Sequence, residues 1–247
     1  MKLHNTATCP EKSINEEESR NKTADNVKDI GDRQSMLFAE SKKSLLVIFQ
    51  GMDTSGKDGA IKKVFADVNP NGCHVISFGR PTEREYSQDF LWRIHHHTPP
   101  FGMIHIFNRS HYEDILVPSV EGYIDQSIIK ERYQQINDFE KMLEANGTTI
   151  VKFFLHISKE EQEERLKERM TNPKKFWKHK DSDWTAREKW DQYLEAYDTI
   201  IEKCNIVPWH IIPADKNWYK ELLVSGQVEM ALKKIGSKFP PLITNLT

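Results

Sequence analysis

The sequence is short of several features that would place it quickly. It has three cysteines in 247 residues, Cys9, Cys73 and Cys204, far apart and in no C-x-x-C pair. That spacing argues against a disulfide framework or a zinc site and points to a reducing compartment. No apolar run approaches the ~18 residues that a bilayer span requires, and the N-terminus lacks the apolar centre of a signal peptide. The expectation is a cytoplasmic protein with no membrane partner, so the N-x-[ST] matches at Asn21, Asn146 and Asn245 read as chance. There is little charge imbalance either. Thirty-five Lys and Arg face 37 Asp and Glu, for a formal net charge of -2. No global basic field addresses nucleic acid, and any polyanion site must come from local clustering.

What remains is a soluble chain, 38% apolar and 29% charged, long enough for one substantial α/β domain. Residues 1–35 are polar and poor in large apolar side chains, and read as a solvated extension. From residue 44 short apolar runs alternate with helical patterns. "SLLVIFQ" (44–50) is rich in branched residues and does not alternate, as suits a strand buried on both faces of a parallel sheet. "CHVISF" (73–78), "MIHIFN" (103–108), "TIVKFFLHI" (149–157) and "WHIIPA" (209–214) give four more strands. Helical patterns fall at 56–68, 123–147, from Ser158, 185–204 and 216–235. Ser158 with Glu161, and Thr185 with Glu188, have capping-box spacing. The pattern predicts an α/β fold: an open five-stranded parallel sheet with helices on both faces.

"GMDTSGKDG" (51–59) follows the first strand and opens a helix, the context a phosphate-binding loop needs. Backbone N–H groups at a helix N-terminus point at an anion and the helix dipole favours it. Gly51, Gly56 and Gly59 let the backbone come close, and Lys57 supplies a mobile positive charge. The pattern G-x-x-x-x-G-K-[ST] is met except at its last place, which holds Asp58; a Ser or Thr there ordinarily holds Mg²⁺ beside a nucleoside triphosphate. Asp53 is a second carboxylate within the loop. Two carboxylates beside a phosphate cradle imply a divalent cation between them.

"IFNRSHYED" (106–114) ends the third strand. Ligands of open α/β sheets bind outside the carboxyl ends of strands, so Asn108 and Arg109 belong next to the loop, and Arg109 can grip phosphate as a bidentate fork. Glu113 lies one helical turn further. "RLKERMTNPKKFWKHK" (165–180) holds seven Lys/Arg and one acid in a chain that is slightly acidic overall. It ends a helix, is broken by Pro173 and interleaves Phe176 with Trp177. We read it as a hinged basic lid, about 165–185, with Arg165 and Arg169 on one face. The "HHH" at 95–97 points its rings in different directions and is no metal site. The Trp and Tyr of 184–197 read as core, and "RPTEREYSQDFLWR" (80–93) as a candidate substrate loop.

Several of these stretches occur together and in order between about residues 36 and 235: "GMDTSGKDGAIK", "DFLWR", "IFNRSHYED", "KFFLHISKEEQ", the run from "ER" at 168–169 through "FWK" to "REKW", and "PADKNW". In this the chain resembles the family-2 polyphosphate kinases. The resemblance implies a single P-loop kinase-like domain over 36–247, a three-layer sandwich with a helical lid. It implies transfer of the terminal phosphoryl group of inorganic polyphosphate to a nucleotide, with Mg²⁺ or, as a substitute, Mn²⁺. The partners implied are polyphosphate, AMP, ADP, ATP and other purine nucleotides, and the assembly a dimer or tetramer.

Carried onto this sequence, the resemblance makes Asp53, Lys57, Arg109, Glu113 and Arg169 the catalytic group. Gly51, Ser55, Gly56, Lys57, Gly59, Arg165 and Lys178 would bind polyphosphate, and Asp58, Asn108, Arg109 and Glu113 the nucleotide. Asp53 and Glu113 would hold the metal. Family members acting mainly on diphosphates have "RSWYN"; "RSHYE" here resembles the subgroup using both mono- and diphosphates. Met103 and "VPSVEG" (117–122) depart from that subgroup. Two other readings stay open: an ATP-dependent nucleoside monophosphate kinase, which Asp58 argues against, and a non-catalytic polyanion-binding module built on the 165–180 cluster.

Overall fold

The structure, a computed structural model, describes residues 2–242; the N-x-[ST] match at Asn245 lies outside them. Five strands, β1 (Ser44–Gln50), β2 (Cys73–Ser77), β3 (Ile104–Asn108), β4 (Thr148–His156) and β5 (Trp209–Pro213), form one sheet in the order β2-β3-β1-β4-β5, with every pair parallel. The helices are α1 (Glu16–Glu40), α2 (Lys57–Val64), α3 (Glu83–Tyr86), α4 (Trp92–His95), α5 (Glu113–Glu121), α6 (Gln126–Ala145), α7 (Lys159–Thr171), α8 (Asp181–Glu188), α9 (Trp190–Lys203) and α10 (Asn217–Ile235). Helices α1, α2 and α10 form one outer layer and α5, α6 and α9 the other. Central strand β1 is buried along its whole length. A continuous run of Leu, Val, Ile and Phe is therefore the economical way to cover both its faces.

β1 leads outward to edge strand β2, while β3 returns beside β1 and the chain then crosses to β4 on the other side. The order reverses around β1. The crevice between its carboxyl end and that of β3 is where an open sheet leaves room for a ligand. Phe49 pairs with Asn108 in register there, and Arg109 N–H donates to the Phe49 carbonyl at 3.0 Å.

Within residues 2–35 the chain is more than a solvated extension. Glu16 onward forms α1, capped by the Asn15 side chain on Glu18 N–H, with Glu16, Glu17 and Glu18 in the first turn complementing the dipole. The helix lies along α10. Its buried face has only Val27, Ile30 and Leu37 as large apolar residues; the rest is Ser19, Thr23, Asn26, Gly31 and Gln34. Small and polar residues serve because the contact is close. A Cβ on Gly31 would sit 2.7 Å from the Asp67 carbonyl oxygen, and Asn26 donates to Ser225 Oγ at 3.1 Å. Leu3 is buried too, its N–H donating to Asp198 and its carbonyl accepting from His156.

Two helix expectations also change. The single helix over 185–204 is broken at Lys189 into α8 and α9. The Thr185–Glu188 pair is no cap, for α8 begins at Asp181 after Lys180, without a side-chain cap. The break lets Arg187 reach Glu163 on α7 and Lys189 reach Glu121 on α5, while Trp190 turns into the core. The second is α5, hidden in the sequence by Pro118 at its centre. Proline there removes the N–H that the Asp114 carbonyl would accept. Arg132 Nη1 supplies the missing donor to that oxygen at 2.6 Å.

Candidate active site

The loop after β1 bends through three residues with positive φ: Gly51 (148°), Thr54 (66°) and Gly56 (88°). A Cβ on Gly51 would fall 2.6 Å from the Leu155 carbonyl oxygen, so glycine is required at that position. Gly56 is the residue before α2, and a Cβ on it would run into the Lys220 ammonium. Gly59 needs no such freedom: it lies in the first turn of α2, and a side chain there would meet nothing. The expectation of a close approach at Gly59 is thus corrected.

Lys57 is buried and turns back over the loop, donating to the carbonyls of Gly51 (2.8 Å) and Met52 (3.3 Å) and to Ser55 Oγ (3.4 Å). Burial, with the Arg109 guanidinium adding to it, lowers its ammonium from the ordinary 10.5 to about 8. An anion seated in the loop would reverse that shift.

Arg109 itself has φ 64°, unusual for a long side chain. Such strain persists only where surrounding structure over-determines it. The backbone at the end of β3 turns so that the guanidinium reaches across to the loop. Nη2 donates to Asp53 Oδ1 at 2.5 Å and Nη1 lies 3.9 Å from Glu113 Oε2. Burial works against the Asp53 carboxylate, but the Arg109 and Lys57 cations outweigh it and hold its pKa below the usual range. Glu113 goes the other way: burial raises it, against the opposing pull of Arg109 and Lys57.

The structure sorts the expected residues into two adjoining cavities. The larger, about 580 Å³, runs along the loop and under α7 and the lid. Lys57, Asp58, Asn108, Arg169 and Lys178 line it. The smaller, about 100 Å³, lies between the loop, α5 and α9 and is lined by Glu113, Leu116, Val117, Tyr193 and Tyr197 among others. Asp53 and Arg109 line both. Asp58 and Asn108, grouped with Glu113 from the sequence, are therefore apart from it. Asp58 accepts from Asn108 Nδ2 and from Lys178 Nζ, each at 2.9 Å, tying the lid to the end of β3.

The basic lid comprises the end of α7, the turn Phe176–Lys178 and α8. Arg169 Nη1 donates to Asp183 (2.7 Å) and to the Lys178 carbonyl (3.1 Å), which fixes the fold of the lid. Arg165 is largely spent on the protein. It donates to Glu161 (2.7 Å), to the Thr54 carbonyl (2.9 Å) and to the carbonyls of Ala214 (2.8 Å) and Asp215 (3.1 Å). It is a brace between the phosphate loop and the end of β5.

Sequence reasoning missed Lys220, fully buried behind Gly56 and lowered to about 8 by burial and then by Arg165. Its position on the first turn after β5, at the carboxyl edge, was the available signal. It missed Tyr193 as well: that tyrosine, read as core, borders the Glu113 cavity. Ser77 and Phe78, not the charged stretch after Arg80, reach the larger cleft from β2. Arg93 of that stretch is buried against Asp114 at 2.9 Å. Among the described residues no three His, Cys, Asp or Glu side chains are placed to hold a metal by themselves, and no helix is long and apolar enough to cross a membrane. The rings of His95 and His96 pack on Phe139 and Trp92.

Comparison with known proteins agrees with this geometry. Residues 13–240 match the family model "Polyphosphate kinase 2 (PPK2)". An AMP/ADP-polyphosphate phosphotransferase of Meiothermus ruber is 48% identical over 209 residues, 84% of this chain and 78% of that one. An ADP-polyphosphate phosphotransferase of Rhodopseudomonas palustris is 38% identical over 87% of this chain and 79% of its own length. The crystal structure of polyphosphate kinase 2 from Arthrobacter aurescens TC1 superposes with a TM-score of 0.95 at 37% identity, covering 100% of this chain and 90% of that one. With fold, loop and cleft in agreement, the chain belongs to the polyphosphate kinase 2 family, whose members are phosphotransferases.

Proposed function

We propose that the protein moves the terminal phosphoryl group of inorganic polyphosphate to AMP and to ADP, giving ADP and ATP. One observation carries this reading: two cavities, one large and richer in Lys and Arg than in acids, one small and bordered by a carboxylate and tyrosines, share Asp53 and Arg109 at their junction. A donor chain fits the first and an acceptor phosphate the second, and the transferring group falls where they meet. The name of the Meiothermus relative supports both acceptors, as does the carboxylate of Glu113 in "RSHYE".

In this mechanism an acceptor phosphate oxygen attacks the terminal phosphorus in line. Lys57 and the loop N–H groups hold the donor, and Arg109, between the two pockets, offsets charge on the oxygens in flight. No covalent enzyme intermediate is needed, since positioning and electrostatics carry such transfers. The lid, latched through Lys178 to Asp58, excludes water that would hydrolyse the donor. Because the bond broken and the bond made are alike, the reaction runs both ways.

The donor set fits Mg²⁺. That ion takes one or two carboxylates together with phosphate oxygens and water, and Asp53 and Glu113 flank the shared junction without forming a complete cage of their own. When bound through them, the metal would neutralise phosphate charge and align donor with acceptor.

The test is an endpoint assay with polyphosphate and Mg²⁺, given AMP alone and then ADP alone, with chelator controls. ADP and ATP formed from AMP support the reading. ATP from ADP alone removes the AMP step. Turnover with ATP as donor and none with polyphosphate would overturn it.

A further inference from the structure

Gln50 is the last residue of β1 and is wholly buried. Its amide sits among three elements: the turn after β3, the first turn of α5, and α9. Only one orientation satisfies every neighbour. The amide oxygen accepts from Ser110 N–H (3.2 Å) and Ser110 Oγ (3.1 Å), and the amide nitrogen donates to Glu113 Oε1 (2.9 Å) and to the Tyr197 hydroxyl (3.3 Å). Reversed, the amide oxygen would face a carboxylate oxygen at 2.9 Å, two acceptors with no proton between them.

Glu113 is thus gripped on one side only. Oε1 is held by Gln50, which leaves Oε2 turned toward Arg109, 3.9 Å from Nη1, at the wall of the small cavity. A glutamate on the first turn of a helix has rotameric freedom that such a bond removes. No other neutral side chain of this length offers an acceptor to Ser110 and a donor to Glu113 at once.

We infer that Gln50 is a positioning residue for Glu113, and that this amide–carboxylate pair sets the balance between mono- and diphosphate acceptors. The inference rests on the reading of Glu113 as the group that recognises the acceptor. A glutamine that merely filled the core would affect both acceptors alike; one that aims Glu113 affects the step needing that carboxylate.

The experiment compares wild type, Gln50→Glu, the near-isosteric Gln50→Met, Glu113→Gln and the exchanged pair Gln50→Glu/Glu113→Gln. It measures kcat/KM for AMP and for ADP with polyphosphate, alongside thermal unfolding. Gln50→Glu sets carboxylate against carboxylate; Gln50→Met removes the donor without adding charge. Both are expected to lower the AMP value at least about tenfold more than the ADP value, as befits loss of a hydrogen bond to a charged group. The exchanged pair restores the bond with its polarity reversed. It should recover melting temperature relative to Gln50→Glu, while AMP turnover stays low because the Glu113 carboxylate is gone.

Should Gln50→Glu fail to fold, Gln50→Met still decides. Equal loss for AMP and ADP in Gln50→Met, with a wild type that uses both, overturns the pairing and leaves the proposed function standing. A wild type that ignores AMP overturns the dual-acceptor reading, and this inference with it.

Discussion

Asp53 Oδ1 and Arg109 Nη2 lie 2.5 Å apart, joining the phosphate loop to the end of β3 at the point where the two cavities meet. Both residues are held at the backbone. The Arg109 backbone has a positive φ and the Asp53 carbonyl accepts from Gln162 Nε2 at 3.1 Å. The pair is a bridge with charge of both signs, at the junction where the proposed transfer takes place.

That bridge gives the first prediction. Asp53→Asn keeps the shape and removes the charge, so Arg109 and Lys57 lose a counter-ion and the metal a ligand. It should lower kcat by about 10²–10³, the range found when one preorganised electrostatic contact is lost, and raise the Mg²⁺ concentration needed for half-maximal rate. Arg109→Lys should cost a comparable factor, because an ammonium cannot bridge Asp53 and a phosphate with fixed geometry. Mg²⁺ titrations of both variants against wild type are the check. An unchanged Mg²⁺ requirement in Asp53→Asn would remove that residue from the metal.

Lys57 gives a prediction in pH. Its ammonium is lowered from the ordinary 10.5 to about 8 by burial first and Arg109 second. Burial favours the neutral form, so between about 8 and 10.5 the unfolded chain binds more protons and folding stability from this group rises with pH. Donor binding has the opposite sign. Phosphate favours the charged form, so affinity for polyphosphate falls as pH rises through about 8, by up to about tenfold per unit. Binding at pH 8.5 should take up a proton, measurable by calorimetry in two buffers of different ionisation enthalpy. Lys220 is also lowered to about 8. Wild type, Lys57→Arg and Lys220→Met together assign the effect, and only Lys57→Arg should flatten it if Lys57 holds the donor.

The proline in α5 predicts a double-mutant cycle. Arg132 Nη1 satisfies the Asp114 carbonyl that Pro118 leaves without its helical partner. Arg132→Met should therefore destabilise by about 1–3 kcal/mol, the usual cost of an unpaired buried acceptor. In a Pro118→Ala background the helix supplies its own N–H, and the same substitution should cost less. Urea unfolding of the four proteins measures the coupling; equal costs in both backgrounds would mean that Arg132 acts elsewhere.

How much of this was written in the sequence differs from element to element. β1 and β4 announce themselves because strands buried on both faces are mostly apolar; β4 admits Lys152 at its centre because the buried Glu140 pairs with it. The loop was legible because glycine and lysine at fixed spacing have few other uses. α1 was not, since a helix whose buried face is largely Ser19, Thr23, Asn26, Gly31 and Gln34 has no apolar stripe to read. α5 was obscured by Pro118, whose cost is offset by an arginine on another helix. Most of the candidate site residues come together around the loop, but their partition between two cavities was not foreseeable. Asp58 and Glu113 are equally acidic and equally near a motif, and only the fold puts one in the large cleft and the other in the small cavity. Arg165 reads in the sequence as a phosphate ligand; it does line the large cleft, but its bonds to three backbone carbonyls are invisible in sequence.

That difference between Arg165 and Lys178 can be measured. Arg165 ties the Thr54 carbonyl to those of Ala214 and Asp215 and is mostly buried. Lys178 meets Asp58, whose side chain is 62% exposed, and such pairs contribute little to stability. Arg165→Gln should lower the melting temperature by several degrees, as a loss of about 1–3 kcal/mol would. Its effect on polyphosphate KM should depend little on salt, because the loop is distorted and no phosphate contact is lost. Lys178→Ala should leave the melting temperature within a degree or so and raise the polyphosphate KM, most at low ionic strength, where an exposed cation attracts a polyanion best. Thermal unfolding and KM at two salt concentrations separate the two roles. If Arg165→Gln melts like wild type and its KM follows salt as that of Lys178→Ala does, Arg165 binds the donor after all, and its contacts to the three carbonyls are what the bound chain displaces.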